Sequence, residues 1–140
     1  MPDKIFVDTN ILIYAHDLDA GVKHEKAARL LESIWDTGTG VLSIQVLQEF
    51  YVNVTRKIPQ PLSPSTARGV IENYLAWQVE NLPPDSILMA SEISERHQLS
   101  FWDALIITAA RHARVKKIVT EDLNNGQTIE GIQVVNPFIS

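Results

Sequence analysis

The sequence predicts an α/β fold in which a mostly parallel central sheet is flanked by helices. Short apolar runs rich in β-branched residues alternate with longer segments that repeat apolar residues at helical spacing. The length of 140 residues matches one domain, and a hydrophobic fraction of 45% is enough to fill one core. We therefore expect a single domain over residues 1–140.

The first half of the chain contains two predicted strand–helix units. Residues 4–7 form a continuous apolar run, typical of a buried parallel strand, and Thr9 or Asn10 can cap the helix that follows. A second helix is expected over about residues 22–35. A second strand is expected over 41–43, with Ser43 capping another amphipathic helix.

The second half contains more helix than strand. Three prolines make residues 58–64 a predicted loop, and Pro83 and Pro84 separate two of the later helices. The last helix is apolar nearly all round, which indicates burial. The predicted elements are helices over 65–77, 85–97 and 100–114, and strands over 117–120 and 132–135.

Composition excludes several classes of protein. The chain has no cysteine, so disulfides, thiolate zinc sites and thiol catalysis are ruled out. No apolar run approaches the roughly 18 residues that span a bilayer, and the N-terminus lacks the apolar stretch of a signal peptide. We expect a cytoplasmic protein with no membrane association.

Four acidic residues stand in positions that the predicted fold makes unusual. Asp8 follows the first strand, Asp122 follows a later strand, Asp103 lies at a helix start, and Glu49 lies in the sequence Gln-Glu-Phe. Sites in open α/β sheets form outside the carboxyl ends of the strands, so at least three of the four are expected on one side. Carboxylates 4 Å apart repel by roughly 4 kcal/mol at an effective dielectric of 20. Such a cluster requires a bound cation or a retained proton, and a hard divalent metal suits all-oxygen ligands.

Each acid also has a structural explanation. Asp8 is a good turn or cap residue, and Asp122 precedes a turn-forming Asn-Asn-Gly. Asp103 completes a capping-box pattern with Ser100. Glu49 falls away from the apolar stripe of its helix and is expected to be solvated. No single acid decides the matter.

Other candidate groups are weaker. Thr9 and Asn10 can orient a phosphate or a metal-bound water as well as cap a helix. The four histidines lack the spacing of a helical zinc motif, and neither a P-loop nor a Gly-x-Ser-x-Gly elbow is present. One dense basic segment is either helix-end charge or a patch for RNA phosphates; it comprises Arg111, Arg114, Lys116 and Lys117.

Taken in order, these segments resemble the PIN-domain family, and within it the VapC-type toxins of toxin–antitoxin pairs. The resemblance covers nearly the whole chain. Its opening strand and first acid correspond to Phe-Val-Asp-Thr-Asn, and its helical second acid to Gln-Glu-Phe. The third corresponds to Asp-Ala-Leu-Ile and the fourth to Val-Thr-Glu-Asp. The closing strand resembles Val-Val-Asn-Pro-Phe at 134–138. The expected fold is thus a single PIN-like domain.

The resemblance implies a metal-dependent endoribonuclease that leaves a 5′-phosphate and a 3′-hydroxyl. Mg²⁺ or Mn²⁺ would be held by Asp8, Glu49, Asp103 and Asp122, with Thr9 near the phosphate. Members of the family are commonly homodimers inhibited by a cognate antitoxin protein. The fourth acidic position varies in the family, so Glu121 or Asn124 can share the role given to Asp122.

Two rival functions remain open from the sequence. The net charge of −5 favours a silent module whose acidic groove binds a basic partner peptide. Removing the four candidate acids from 17, however, leaves 13 against 12 basic residues, so the charge does not exclude RNA. A phosphatase or receiver-like role for Asp8 is disfavoured because Asn10 stands where many aspartyl phosphatases carry a second aspartate.

Overall fold

A single six-stranded sheet runs through the protein in a computed structural model that describes residues 3–139. The strand order is β3-β2-β1-β4-β6-β5, and all neighbouring pairs are parallel except β5 with β6. The strands are β1 Ile5–Val7, β2 Gly40–Ser43, β3 Gln78–Glu80, β4 Lys117–Val119, β5 Thr128–Ile129 and β6 Ile132–Val135. This confirms the predicted α/β class and its mostly parallel sheet.

Within residues 3–139, six helices flank the sheet. They are α1 Thr9–His16, α2 Val22–Thr37, α3 Ile44–Arg56, α4 Pro64–Tyr74, α5 Ser86–His97 and α6 Phe101–His112, with a short 3₁₀ turn at Leu18–Ala20. Helix α1 packs against α2 and α3, and α5 packs against α6. None of the helices in residues 3–139 combines the length and apolar character needed to cross a bilayer.

The core lies between the sheet and the helices. Phe6, Val41 and Ile118 come from the three central strands and have no exposed surface. Six residues of α6 are buried, as expected for a helix that is apolar nearly all round: Ala104, Ile106, Ile107, Thr108, Ala109 and Ala110. Hydrophobic burial of this kind is the dominant favourable contribution to folding.

Helix caps agree with the sequence at α3 and α6 but differ at α1. The Ser43 hydroxyl accepts a hydrogen bond from the Val46 amide, and the Ser100 hydroxyl accepts one from Asp103. The cap predicted at Thr9 or Asn10 is wrong, and the alternative that Asp8 is a cap residue is confirmed, because Asp8 is the N-cap and accepts a hydrogen bond from the Thr9 amide. The helix therefore begins one residue earlier, which places Asp8 at the junction of β1 and α1.

Two strands were missed, and one helix was predicted too long. The expected helix over 65–77 ends at Tyr74, and the chain turns into β3 at Gln78. A tertiary contact explains why the helix ends here: Trp77 packs on Gly40 of β2. Its ring occupies the space where a Cβ on Gly40 would lie, 2.3 Å from the nearest ring atom. Strand β5 has only two residues and pairs with β6 through a tight turn, too short for a period-two pattern.

The register of the central strands brings the acids to one edge. Val7 of β1 is aligned with Val119 of β4, and the Asp8 amide donates to the Val119 carbonyl at 3.1 Å. The residues that follow these strands, Asp8 and Thr120, are therefore neighbours. Lys117 starts β4 and aligns with Ile5, so it lies at the opposite edge of the sheet.

Candidate active site

Asp8 is the centre of the site and is buried, with 5% of its surface exposed. Its Oδ1 accepts a hydrogen bond from the Thr9 amide at 2.7 Å, and its Oδ2 accepts one from the Thr120 hydroxyl at 2.8 Å. The first bond follows from capping α1, and the second follows from the parallel pairing of β1 with β4. Both carboxylate oxygens are thus fixed in direction.

Thr120 links Asp8 to the fourth acid. Its hydroxyl oxygen accepts from the Asp122 amide at 3.1 Å and lies 3.3 Å from Asn10 Nδ2. The same Asn10 amide group donates to Asp122 Oδ2 at 2.9 Å. Since Thr120 is fully buried, its one hydroxyl hydrogen is directed to Asp8. Thr120 is a site residue that the sequence-based prediction missed; a polar residue directly after an apolar strand was the available signal.

Glu49 reaches the site from α3. Its Oε1 accepts from the Thr9 hydroxyl at 3.2 Å and from Gln45 Nε2 at 3.3 Å. Glu49 is exposed, as its place away from the apolar stripe predicted, yet it is connected to Asp8 through Thr9. Glu49 is therefore exposed to solvent and also part of the acidic group at this edge.

Asp103 completes the set from the first turn of α6, where it is half-buried. Burial raises the pKa of Asp103; the hydrogen bond with Ser100 opposes this, and the charge of Asp122 adds to it. Asp103 therefore occupies the predicted cap pattern and also faces the charge of another candidate acid.

The pKa of Asp8 is the clearest sign that several acids lie near one another. Burial raises the pKa of Asp8 from an ordinary 3.8 to about 7, against the lowering effect of its hydrogen bonds with Thr120 and Thr9. The charges of Asp122 and Asp103 raise this pKa further. Asp8, Asp103 and Asp122 thus interact electrostatically. With a pKa of about 7, Asp8 is only partly ionised at neutral pH.

Glu121 and Asn124, the two alternatives for the fourth position, have other contacts. The Tyr14 hydroxyl donates to Glu121 Oε1, and Lys23 Nζ lies 2.7 Å from Glu121 Oε2. Asn124 lies in a turn in which its carbonyl accepts from the Gln127 amide. These contacts favour Asp122 as the acid that faces Asp8.

The histidines and the basic segment contribute nothing to this edge. The four histidines contact other groups: His16 the Tyr74 hydroxyl, His24 the Tyr14 carbonyl, His97 Glu130 and His112 Glu80. Arg111 pairs with Glu130 at 2.6 Å. Because Arg111 is in the last turn of α6 and Lys117 is at the far edge of the sheet, helix-end charge explains the segment better than a phosphate patch beside the acids.

The donor set fits a hard divalent cation in kind. Four carboxylates and the hydroxyls of Thr9 and Thr120 offer only oxygen, the ligand that Mg²⁺ prefers. Within residues 3–139, however, no three acid or histidine side chains are already arranged around one point as ligands. Asp8 is buried and held by two hydrogen bonds, whereas the exposed side chains of Glu49 and Asp122 accept hydrogen bonds from Thr9 and Asn10. Binding an ion would therefore require these exposed side chains to turn toward Asp8.

Comparison with known proteins agrees with the fold. The family model described as PIN domain matches residues 5–126. The chain belongs to the PIN-domain family. A sequence search against curated proteins found no significant match.

Solved structures similar to this PIN domain include toxin proteins. A toxin–antitoxin complex from Klebsiella pneumoniae matches with a TM-score of 0.70 at 21% identity, covering 96% of this chain and 98% of that one. VapC20 from Mycobacterium tuberculosis, described as a toxin that cleaves the sarcin–ricin loop, matches with a TM-score of 0.64 at 23% identity, covering 82% and 87%. A DNA-bound VapBC from Salmonella typhimurium matches with a TM-score of 0.65 at 19% identity, covering 95% and 97%. At these identities the likeness establishes the shared fold.

Proposed function

We propose that this PIN domain is a divalent-metal-dependent endoribonuclease, acts in the cytoplasm, and is the toxin of a toxin–antitoxin pair. The observation that carries the proposal is the buried carboxylate of Asp8, placed at the carboxyl edge of the sheet and facing the charges of Asp103 and Asp122. A folded protein retains such an arrangement at a cost in stability, which a bound cation would offset. The description of VapC20 as an RNA-cleaving toxin adds support from a protein of the same fold.

The residues have distinct roles in this proposal. Asp8, Glu49, Asp103 and Asp122 would hold Mg²⁺ or Mn²⁺. When bound, such an ion supplies charge neutralisation and Lewis acidity for phosphodiester hydrolysis by water. Asn10 and Thr120 keep Asp122 and Asp8 in their orientations. The Thr9 hydroxyl, which donates to Glu49 in this structure, is positioned to donate to a phosphate oxygen once Glu49 turns away.

The expected products follow from attack of water on phosphorus. The bond between phosphorus and the 3′ oxygen breaks, and the departing oxygen takes up a proton. The fragments then carry a 3′-hydroxyl and a 5′-phosphate, as the family resemblance implies.

A cleavage assay with matched variants tests the proposal. The purified protein is incubated with RNA and Mg²⁺ or Mn²⁺, and the ends of the products are mapped. Asp8→Asn and Asp103→Asn are expected to abolish cleavage. Glu121→Gln is the matched control, because it removes the acid next to Asp122 that Tyr14 and Lys23 already engage. Full cleavage by Asp8→Asn would refute the assignment, and equal loss in Glu121→Gln would refute the choice of Asp122.

The partner proteins are part of the same proposal. Two of the similar structures are toxin–antitoxin assemblies, one of them bound to DNA, which supports a cognate antitoxin for this chain. We also propose a homodimer, by family resemblance. Light scattering on the purified chain, alone and with the product of an adjacent small gene, measures both; a monomer that binds no such product would contradict them.

A silent acidic groove that binds a basic peptide is the second candidate. Its support is the net charge of −5 and the absence, within residues 3–139, of three side chains already arranged as ligands. The two candidates differ in thermal unfolding with Mn²⁺, because a true metal site adds RT ln(1 + [L]/Kd) to stability. A rise in Tm that disappears in Asp8→Asn supports the nuclease, and no shift at millimolar Mn²⁺ supports the silent groove.

A further inference from the structure

Trp102 directly precedes the site acid Asp103 and is 65% exposed, whereas Phe50, the aromatic residue next to Glu49, is fully buried. Trp102 is the second residue of α6. Its ring meets the ring of Phe101 edge-on at a centroid distance of 5.5 Å. By contrast, Trp35 stacks on Tyr74 and contacts Trp77, so its exposed part belongs to a packed aromatic group. Trp102 offers an open ring face beside the acidic edge.

Folding does not account for a tryptophan at this position. Burying such a ring stabilises a protein considerably, and Trp102 gives up most of that gain. Nor does it help α6 to start, since tryptophan is a mediocre helix former and Ser100 already supplies the cap. A single exposed apolar residue is common on protein surfaces and needs no explanation. Next to a candidate catalytic acid, an exposed tryptophan can also bind substrate.

The backbone at Trp102 is tied to the rest of the acidic edge. Gln45 Nε2 lies 3.5 Å from the Trp102 carbonyl oxygen and 3.3 Å from Glu49 Oε1. The start of α6 and the start of α3 therefore meet at Gln45. A hollow of about 210 Å³ opens beside this contact; Ile44, Gln45, Leu82 and Leu105 are among its lining residues. Leu105 is one turn along α6 from Trp102 and so on the same side of the helix.

A stacking contact would help a nuclease with a negative net charge to bind RNA. With a net charge of −5 the protein gains little from the electrostatic attraction that usually dominates binding to phosphates. Its one dense basic segment runs to the opposite edge of the sheet. Base stacking on an aromatic face does not depend on net charge, and it is available only where bases are unpaired.

We propose that Trp102 stacks on an unpaired base next to the scissile phosphate and so holds that phosphate at the acids. The inference rests on the proposed ribonuclease function. Trp102 acts here as a binding residue that positions the phosphate at the acids, with no part in bond breaking.

Three variants separate stacking from other uses of the same side chain. Trp102→Phe keeps an aromatic face, Trp102→Leu keeps apolar volume without one, and Trp102→Ala keeps neither. On a single-stranded oligoribonucleotide with Mg²⁺, Ala and Leu are expected to raise KM about 5- to 150-fold with kcat little changed, and Phe to retain most of the affinity. Because the side chain is exposed, all three should unfold at nearly the wild-type temperature.

The substrate provides an independent half of the test. Replacing one nucleotide at a time by an abasic residue should reveal one position, next to the cut, at which the wild type loses as much as Trp102→Ala does. The combined change should cost no more than either alone, as a double-mutant cycle requires for two partners of one contact. The same sequence held in a duplex should show no dependence on Trp102.

Other results would overturn the proposal. Wild-type KM in Trp102→Leu would mean apolar packing, and a loss confined to kcat would mean displacement of Asp103. A changed molar mass or lost binding of a partner protein, with unchanged KM for RNA, would assign Trp102 to a protein interface. Tryptophan fluorescence separates this inference from the ribonuclease proposal. Quenching of Asp8→Asn by the oligonucleotide, absent when Trp102→Phe is added, supports stacking even without cleavage; cleavage that is independent of Trp102 refutes stacking alone.

Discussion

The pH dependence of stability in Asp8→Asn is the sharpest expectation from this structure. Asp8 is buried and its pKa is raised to about 7, whereas in the unfolded chain it returns to about 3.8. Between these values the folded protein holds a proton that the unfolded chain has released. The stabilisation is therefore complete below about pH 4 and is lost as the pH rises through about 7.

The magnitude follows from the size of the shift. At about 1.4 kcal/mol per pH unit, the wild type loses about 4 kcal/mol of unfolding free energy over this interval, relative to a variant without the carboxyl group. Asparagine also has a cost that does not depend on pH. Its amide hydrogens would face the Thr120 hydroxyl, which then loses its acceptor, at about 1–3 kcal/mol. Asp8→Asn should thus be less stable than the wild type near pH 4 and more stable above pH 7.

Urea unfolding in the presence of EDTA measures the difference. With a slope of about 2 kcal/mol per molar, a change of about 4 kcal/mol moves the relative midpoints by about 2 M between pH 4 and pH 7.5. Asp36→Asn is the matched control, because it removes one carboxylate from an exposed position at the end of α2 and should follow the wild-type profile. A difference between wild type and Asp8→Asn that stays constant over this interval would refute the reasoning.

Three further expectations concern the surroundings of the site and the frame that holds it. Thr120→Val removes the hydroxyl that donates to the first acid and should destabilise the protein by about 1–3 kcal/mol in urea unfolding, whereas Thr120→Ser should restore most of the loss. Gly40→Ala should destabilise the fold, because the new Cβ would lie 2.3 Å from the ring of Trp77; Gly69→Ala, in the open interior of α4, should stabilise it by about 0.5–1 kcal/mol. Glu130→Gln removes the carboxylate whose pKa is lowered by its hydrogen bond with His97 and its ion pairs with Arg96 and Arg111, and should cost up to about 1 kcal/mol at neutral pH. That cost should decrease as the pH falls through the lowered pKa of folded Glu130, and a cost that does not change between neutral and acidic pH would contradict this account.

The location of the acids could be predicted because strands and helix starts are visible in the sequence. Asp8 follows an apolar run and Asp103 follows a serine cap, and these patterns predict both at the carboxyl edge of the sheet. Thr120 was not recognised, since its importance depends on the alignment of β1 with β4, which joins residues more than 100 positions apart. Local patterns contain no information on such pairing.

Local periodicity, capping chemistry and residue type predicted the α/β class, most of the helices and four candidate site acids, and the structure confirms the class and these helices. Three features depend on the tertiary structure: the burial of Asp8, the different contacts of the neighbouring acids Glu121 and Asp122, and the end of the helix before β3. Burial and strand register depend on the whole chain at once. Glu121 contacts Tyr14 and Lys23, which are distant in sequence, whereas Asp122 accepts a hydrogen bond from Asn10, close to Asp8 in the chain.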